Sequence, residues 1–325
     1  MENKKNIVTI GGGTGTFVVL SGLQRLPNVA LTALVSVLDD GGSTGRLRDA
    51  YGFLPVGDAR QALIALAKNG SASVIRKLFE YRFSKGDIAG HNFGNLFLTA
   101  LTDILGSDAA AIEAASQILR VKGSVLPIST EPATLVATLE SGETVIGEHV
   151  IDTRTAGRSP VVALKTTEPV SISSEAQQAI LGADLIVLGP GDLYTSTLAE
   201  FAVSGVTDTF KNSKARIVYV VNLFTKAGQT DTFSAARHIA EILKYTGRKP
   251  DAVILHSGLF PQEVLDHYAV EHEFPVTDDL PHESWVVRGL FADVVLAQKV
   301  EGDNVPRSLV RHSSEKLAAA IATLL

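Results

Sequence analysis

The chain has 325 residues, of which 45% are apolar and 20% charged, with a formal net charge of −6. That length and balance belong to a folded chain with a full core and exclude a largely disordered one. The absence of cysteine excludes disulfides, thiolate metal sites and thiol nucleophiles, while mild acidity with scattered Lys and Arg argues against nucleic acid as a partner.

Residues 7–10 form a compact apolar run that predicts a first strand. The run is too short for a signal-peptide core and no stretch approaches a membrane span, so a cytoplasmic location is expected. After three glycines, residues 16–26 carry apolar side chains at helical spacing, ended by Pro27. Residues 31–38 read as a second strand, apolar throughout as in a strand buried on both faces. Helices are expected over 59–68, 74–82, 95–105 and 109–120, and a strand over 125–128. Residues 134–139 and 144–150 flank a Ser-Gly-Glu turn and predict an antiparallel hairpin, with a further strand at 161–164. An insertion at about 132–169 within one domain spanning 1–325 is the expected organisation. Strands at 184–188, 216–221 and 251–255 then alternate with helices from about 195, at 231–245 and at 261–268. A last helix begins at Ser313 or Ser314.

Buried apolar strands separated by helix-length segments predict an α/β fold. The expected architecture is a Rossmann-like, mostly parallel sheet flanked by helices, with a small antiparallel β insertion. Such sheets bind ligands beyond the carboxyl ends of their strands, where the strand order reverses. Glycine is over-represented at 28 copies against the usual ~7%, and it clusters at those strand exits.

At the first exit, the backbone of Gly11, Gly12, Gly13, Thr14 and Gly15 is expected to approach an anion at a helix N-terminus. Thr16 stands where a dinucleotide fingerprint has its third glycine, which weakens a nicotinamide reading. The second exit runs from Asp39 to Arg48. Asp39 and Asp40 are candidates to hold Mg²⁺, to orient a substrate hydroxyl or to meet a ribose. Gly41 and Gly42 offer open backbone, Ser43 and Thr44 offer hydroxyls, and Arg46 or Arg48 offers a fork for phosphate or carboxylate. Asp58 is placed to cap the helix that follows it. His91 is a candidate general acid or base, Asn92 or Asn95 beside it can meet a phosphate or a ring edge, and Asn95 can instead cap the helix.

The third exit carries Gly189, Gly191, Asp192, Tyr194, Thr195 and Ser196, and the fourth carries Asn222, Thr225 and Lys226. Asn and Thr at such places also serve backbone groups alone. Tyr268 and Arg311, taken singly, read as surface residues. No metalloprotease, Walker A or nucleophile-elbow pattern is present. Three glycine-rich exits together favour a phosphorylated ligand.

Several runs then carry a resemblance: Gly-Gly-Gly-Thr-Gly at 11–15, Asp-Asp-Gly-Gly-Ser-Thr-Gly-Arg-Leu-Arg at 39–48 and Gly-Asp-Ala-Arg at 57–60. His-Asn-Phe-Gly-Asn-Leu at 91–96, Gly-Pro-Gly-Asp-Leu-Tyr-Thr-Ser at 189–196 and Asn-Leu-Phe-Thr-Lys-Ala-Gly-Gln-Thr at 222–230 continue it. In that order they resemble the YvcK-like gluconeogenesis factors, whose superfamily includes the 2-phospho-L-lactate transferases of deazaflavin cofactor synthesis. The resemblance implies a Rossmann-like fold and a cytoplasmic protein linked to growth on gluconeogenic carbon sources and to cell shape. It implies binding of UDP-sugars such as UDP-N-acetylglucosamine, with Tyr268 and the Arg-His-Ser-Ser stretch at 311–314, Arg311 included, at the nucleotide sugar. The transferase branch implies instead Mg²⁺, a guanosine-linked phospho-substrate and a deazaflavin acceptor. On that alternative Asp39, Asp40 and Asp192 are the candidate metal ligands, and with His91 the catalytic candidates. A homodimer is the expected assembly, and a regulatory role calls for a protein partner.

Overall fold

The first strand and the glycine loop behind it set a pattern that the rest of the chain repeats. In the computed structural model, which describes residues 4–68, 74–155, 157–294 and 310–325, β1 (Lys5–Ile10) leads into α1 (Gly13–Leu23) and β2 (Val29–Val35). Five helices follow, α2 (Gly42–Tyr51), α3 (Gly57–Leu66), α4 (Val74–Glu80), α5 (Phe93–Leu105) and α6 (Asp108–Leu119), and then β3 (Ser124–Pro127). The insertion comprises β4 (Leu135–Leu139), β5 (Thr144–Ile146), α7 (Glu148–Asp152) and β6 (Val161–Thr166). α8 (Ser174–Leu181) returns the chain to β7 (Leu185–Leu188), followed by α9 (Val206–Asn212), β8 (Arg216–Val220), α10 (Ala235–Thr246) and β9 (Ala252–His256). The last elements are α11 (Gln262–Val270), β10 (Val286–Gly289), β11 (Ala292–Val294), β12 (Val310–His312) and α12 (Ser314–Ala322).

Seven strands form one sheet in the order β10-β9-β8-β7-β1-β2-β3, and every pair in it is parallel. From β1 the chain builds outward on one side through β2 and β3, then returns and builds on the other side from β7. The order therefore reverses between β1 and β7, which opens a crevice above their carboxyl ends. Both sheet faces are apolar. Ile186 and Leu188 pack with Ile180, Phe210 and Ile242 on one side, while Leu185 and Val187 join the cluster of Leu20, Leu63 and Leu317 on the other. Strands buried on both faces carry unbroken apolar runs, which is why the central strands are plain in the sequence.

The insertion is a three-stranded antiparallel sheet in the order β5-β4-β6, packed through Leu135, Ala137, Leu139 and Val161 onto one of those clusters. β5 stops at Ile146 instead of running to residue 150, because Gly147 adopts φ +103° and turns the chain into α7. The single helix expected from about 195 is instead a wide turn over Leu193–Thr197, a tighter turn over Ala199–Ala202 and then α9. In the wide turn Leu198 N donates to Leu193 O at 2.8 Å, a spacing met mostly where a helix is locally specialised. α2 forms where the sequence reads as a glycine loop. It has no apolar stripe and buries only Ser43, Thr44, Gly45 and Leu47, so hydrophobic periodicity has nothing to show there.

At the switch point two backbones touch. A Cβ on Gly15 would overlap the Pro190 carbonyl. Gly15→Ala is expected to destabilise the protein by about 1–3 kcal/mol, because relief requires a backbone shift that outweighs the helix preference for alanine. The check is a shift of the urea midpoint to lower concentration; an unchanged or raised midpoint contradicts the packing.

Candidate functional site

Four loops leave the carboxyl ends of β1, β2, β7 and β8, and those of β1, β7 and β8 are locked together before any ligand is considered. The Thr16 hydroxyl lies 2.9 Å from where a Cβ would stand on either Gly11 or Gly189, so these two glycines close around it. Gly13 N donates to Asp58 Oδ1 at 2.8 Å. Asp58 thus caps α1 across the fold and not its own helix α3, whose N-cap is Val56. Asn222 Nδ2 donates to the Gly191 carbonyl at 2.6 Å and pins the third exit.

Above this floor lies a cleft of about 390 Å³. Gly12, Gly13, Thr14 and Gly15 line one wall, with Gly191, Asp192 and Ser196 opposite. Asn222, Thr225, Lys226, Tyr268, Arg311 and His312 complete the lining. Tyr268 stacks on Phe224 at 4.1 Å between centroids and 18° between planes, and Phe224 also meets Phe260. The short pair of β11 and β12 carries Arg311 to the rim, and its Nε is buried without a hydrogen-bond partner. His312 is held neutral, its pKa lowered to about 3 by burial and then by the neighbouring His256.

Other expected residues lie elsewhere. Gly11 and Gly189 sit beneath the cleft around Thr16. Tyr194 is in the core, 1% exposed and edge-on to Tyr245, so its phenol is not presented to the cleft. Thr195 is buried behind the wall, where its hydroxyl accepts from Gln229 Nε2 at 3.4 Å. Thr225 lines the cleft, but its hydroxyl accepts from Phe274 N at 3.0 Å.

The second exit forms a separate polar group that does not line the cleft. Ser43 Oγ stands 3.1 Å from His91 Nδ1, and Asn95 Nδ2 reaches both Ser43 Oγ and Thr44 Oγ1. Asn92 caps α5 by accepting from Asn95 N, so the cap falls to Asn92 and not to Asn95. Gly42 has φ +50° at the start of α2, and Gly41 N donates to Asp39 Oδ1 at 2.8 Å. Arg46 leans on the Ala89 carbonyl.

The carboxylates expected to share Mg²⁺ are engaged separately. Asp39 holds Gly41, while Asp40 accepts from His149 N at 2.7 Å and Glu148 N at 3.2 Å and so caps α7. Asp192 faces Lys226 and Asp152. Among the described residues no three His, Asp or Glu side chains stand close enough to hold a metal ion together. This arrangement does not fit a Mg²⁺ site built from Asp39, Asp40 and Asp192.

Acids nevertheless dominate the floor. Burial and then Asp39 push Asp58 up to about 6, and burial and Asp39 push Glu148 up to about 10. Glu200 is fully buried, and burial and then Asp58 raise it well above its ordinary value against a hydrogen bond from Ser36. Lys226 is a cation of the cleft lining, its Nζ 3.9 Å from both Asp152 and Glu273. Burial works against its charge, but Asp192, Asp152 and Glu273 outweigh that and raise its pKa. Asp152, Glu148, Glu273, Gln61 and Phe224 are absent from the sequence-based set. Phe224 lies within the fourth exit between candidate residues but is apolar, whereas the other four come from segments with no glycine loop and only the fold brings them here.

Glu200 makes a pH test. The folded protein keeps a proton there that the unfolded chain releases near 4.5, so this contribution to stability is full below that pH and falls as pH rises toward the folded pKa. Glu200→Gln is expected to melt above wild type at pH 8 with a gap that closes toward pH 4. A gap independent of pH contradicts a protonated Glu200.

Comparison with known proteins agrees with this fold. The profile of the 2-phospho-L-lactate transferase CofD family matches residues 7–295. A gluconeogenesis factor of Halalkalibacterium halodurans is 38% identical over 320 residues, covering 98% of this chain and 96% of that one. A gluconeogenesis factor of Listeria monocytogenes is 37% identical over 329 residues, covering 100% and 97%. A crystal structure of a Bacillus halodurans member of the UPF0052 family superposes with a TM-score of 0.87 at 35% identity, over 98% of this chain and 99% of that one. The chain therefore belongs to the CofD family, among the relatives that carry the gluconeogenesis-factor name.

Proposed function

We propose that the protein binds a nucleotide sugar of the UDP-N-acetylglucosamine type in the cleft and acts through that binding as a gluconeogenesis and cell-shape factor in the cytoplasm. The observation that carries this reading is the span of the cleft. Its lining joins open glycine backbone from two strand exits to Tyr268, stacked on Phe224, and to Arg311. Backbone amides and a guanidinium suit a diphosphate, while an aromatic face suits a base. Asp192, Ser196 and Asn222 are placed for sugar hydroxyls, since carboxylate and amide oxygens accept from them.

The transferase alternative draws on the family profile. Its Mg²⁺ would need carboxylates that converge, and the three expected ones do not, so the site supports binding better than metal-assisted transfer. No helix among the described residues is long and apolar enough to cross a membrane. A regulator of this kind works only if the ligand binds one conformation or assembly better than another, and a protein partner reads that difference.

Stabilisation by ligand tests the reading, because a compound that binds only the folded state raises the melting temperature with concentration. UDP-N-acetylglucosamine without added metal is expected to raise it. A shift seen only with a guanosine nucleotide or a deazaflavin in the presence of Mg²⁺ contradicts the proposal. Arg311→Ala is expected to weaken UDP-sugar binding by about 1.5–3 kcal/mol in calorimetry, the usual worth of a charge-assisted hydrogen bond. An unchanged titration removes Arg311 from the site.

A further inference from the structure

One group singled out in the sequence is not used by the cleft. It lies where the loop between α4 and α5 returns to the start of α5. Phe83 N donates to His91 O at 2.9 Å and Gly90 N donates to Phe83 O at 2.7 Å, which closes that loop with His91 at its end. Below His91 the polar contacts are buried. Arg60 Nε donates to Asn95 Oδ1 at 2.8 Å, and Asn95 Nδ2 then reaches Ser43 Oγ at 3.4 Å. Asn92 N also donates to Ser43 Oγ, at 3.3 Å.

These contacts settle where the imidazole carries its proton. A serine hydroxyl has one hydrogen and two lone pairs, and here two N–H groups take the lone pairs. The hydrogen of Ser43 is left for His91 Nδ1, 3.1 Å away. Nδ1 is then the acceptor, and the proton of the neutral ring sits on Nε2 as a donor.

Two guanidiniums converge on the same turn. Arg46 donates to the Ala89 carbonyl at 3.4 Å and Arg82 donates to the Gly90 carbonyl at 2.7 Å, the two residues immediately before His91. A Cβ on Gly90 would come within 3.0 Å of the Arg46 guanidinium, so the loop approaches it closely. Both side chains are exposed, and neither forms an ion pair with any described carboxylate, although the chain carries a net charge of −6. Each uses only part of its five-donor fork. Both arginines also lower the pKa of His91, after burial.

We propose that Arg46, Arg82 and His91 form a second anion seat, separate from the cleft, that receives a phosphate or carboxylate group. The guanidiniums supply charge and His91 Nε2–H supplies a directed donor. The buried bracket of Ser43, Asn92, Asn95 and Arg60 keeps that donor fixed, so no ordering of the ring is needed when the anion arrives. The shared chemistry is a compact oxyanion, which is either a small free metabolite or an anionic group of a ligand that also occupies the cleft.

Selective ¹³C labelling of histidine ring carbons in the full chain gives the test, with inorganic phosphate as the probe. His91→Asn assigns the resonance. Phosphate is expected to shift the His91 signal saturably at millimolar concentration and to raise its pKa, since a bound anion favours the imidazolium. Arg46→Gln/Arg82→Gln, at two exposed positions, is expected to weaken the response at least tenfold. A His91 signal indifferent to phosphate overturns the proposal, and so does a response that survives the double substitution. Saturating UDP-N-acetylglucosamine separates the sources. If it reproduces the shift and blocks phosphate, the anion belongs to the cleft ligand; if phosphate still acts, the seat takes a free anion. This result is independent of the cleft reading, because the seat is probed with phosphate alone and read at His91.

Discussion

Backbone-to-backbone contact between α1 and the loop after β7 is the constraint on which this molecule depends. Parallel strands end level with one another, and where strand order reverses the two neighbouring exits must pass within a few ångströms. Gly15 rests on the Pro190 carbonyl, and the Thr16 hydroxyl fits between Gly11 and Gly189. Any side chain at the first of these places would push the exits apart and widen the cleft between them. The glycines are therefore required first for assembly, and the same bare backbone then becomes available to a ligand. Asn222 extends the lock to β8 through the Gly191 carbonyl. Three exits thus move as one wall.

Electrostatics follows from that packing. The amide of Gly13 is already satisfied by Asp58, so the start of α1 is not a vacant anion site but one shared with a carboxyl group. Behind it burial raises Asp39, Glu148 and Glu200, helped by Asp40 at Asp39, by Asp39 at Glu148 and by Asp58 at Glu200. Glu148 and Glu200, the two raised furthest, are held as neutral acids and present no negative charge to a phosphate. Positive charge enters through Lys226 amid its three acids and through Arg311 on its short strand. A ligand with a diphosphate over the glycine backbone and a base against Tyr268 matches that lining.

Much of the sheet was legible because the central strands bury both faces and show as unbroken apolar runs. The glycine exits were legible for the same reason, as breaks directly behind those runs. What escaped detection had no period of its own. α2 has almost no apolar surface, and β11 and β12 are three residues each and pair only after the chain has returned from the sheet edge. The site divides likewise. Gly12 to Gly15, Asp192, Asn222 and Lys226 announce themselves by type and place, whereas Glu273 and Gln61 reach the cleft, and Asp152 reaches Lys226, only through tertiary packing. Tyr194 shows the converse: its place directly behind a glycine loop makes it a binding candidate in the sequence, but it lies in the wide turn over Leu193–Thr197 and is buried in the core.

A crystal structure of the protein with UDP-N-acetylglucosamine, grown without divalent metal, tests the central claim most directly. The account predicts the diphosphate between Gly12–Gly15 and Gly191–Ser196, the base against Tyr268 and the Arg311 guanidinium within hydrogen-bond distance of the ligand. Nucleotide sugar bound outside the cleft, or a cleft that stays empty at saturating ligand, would contradict it.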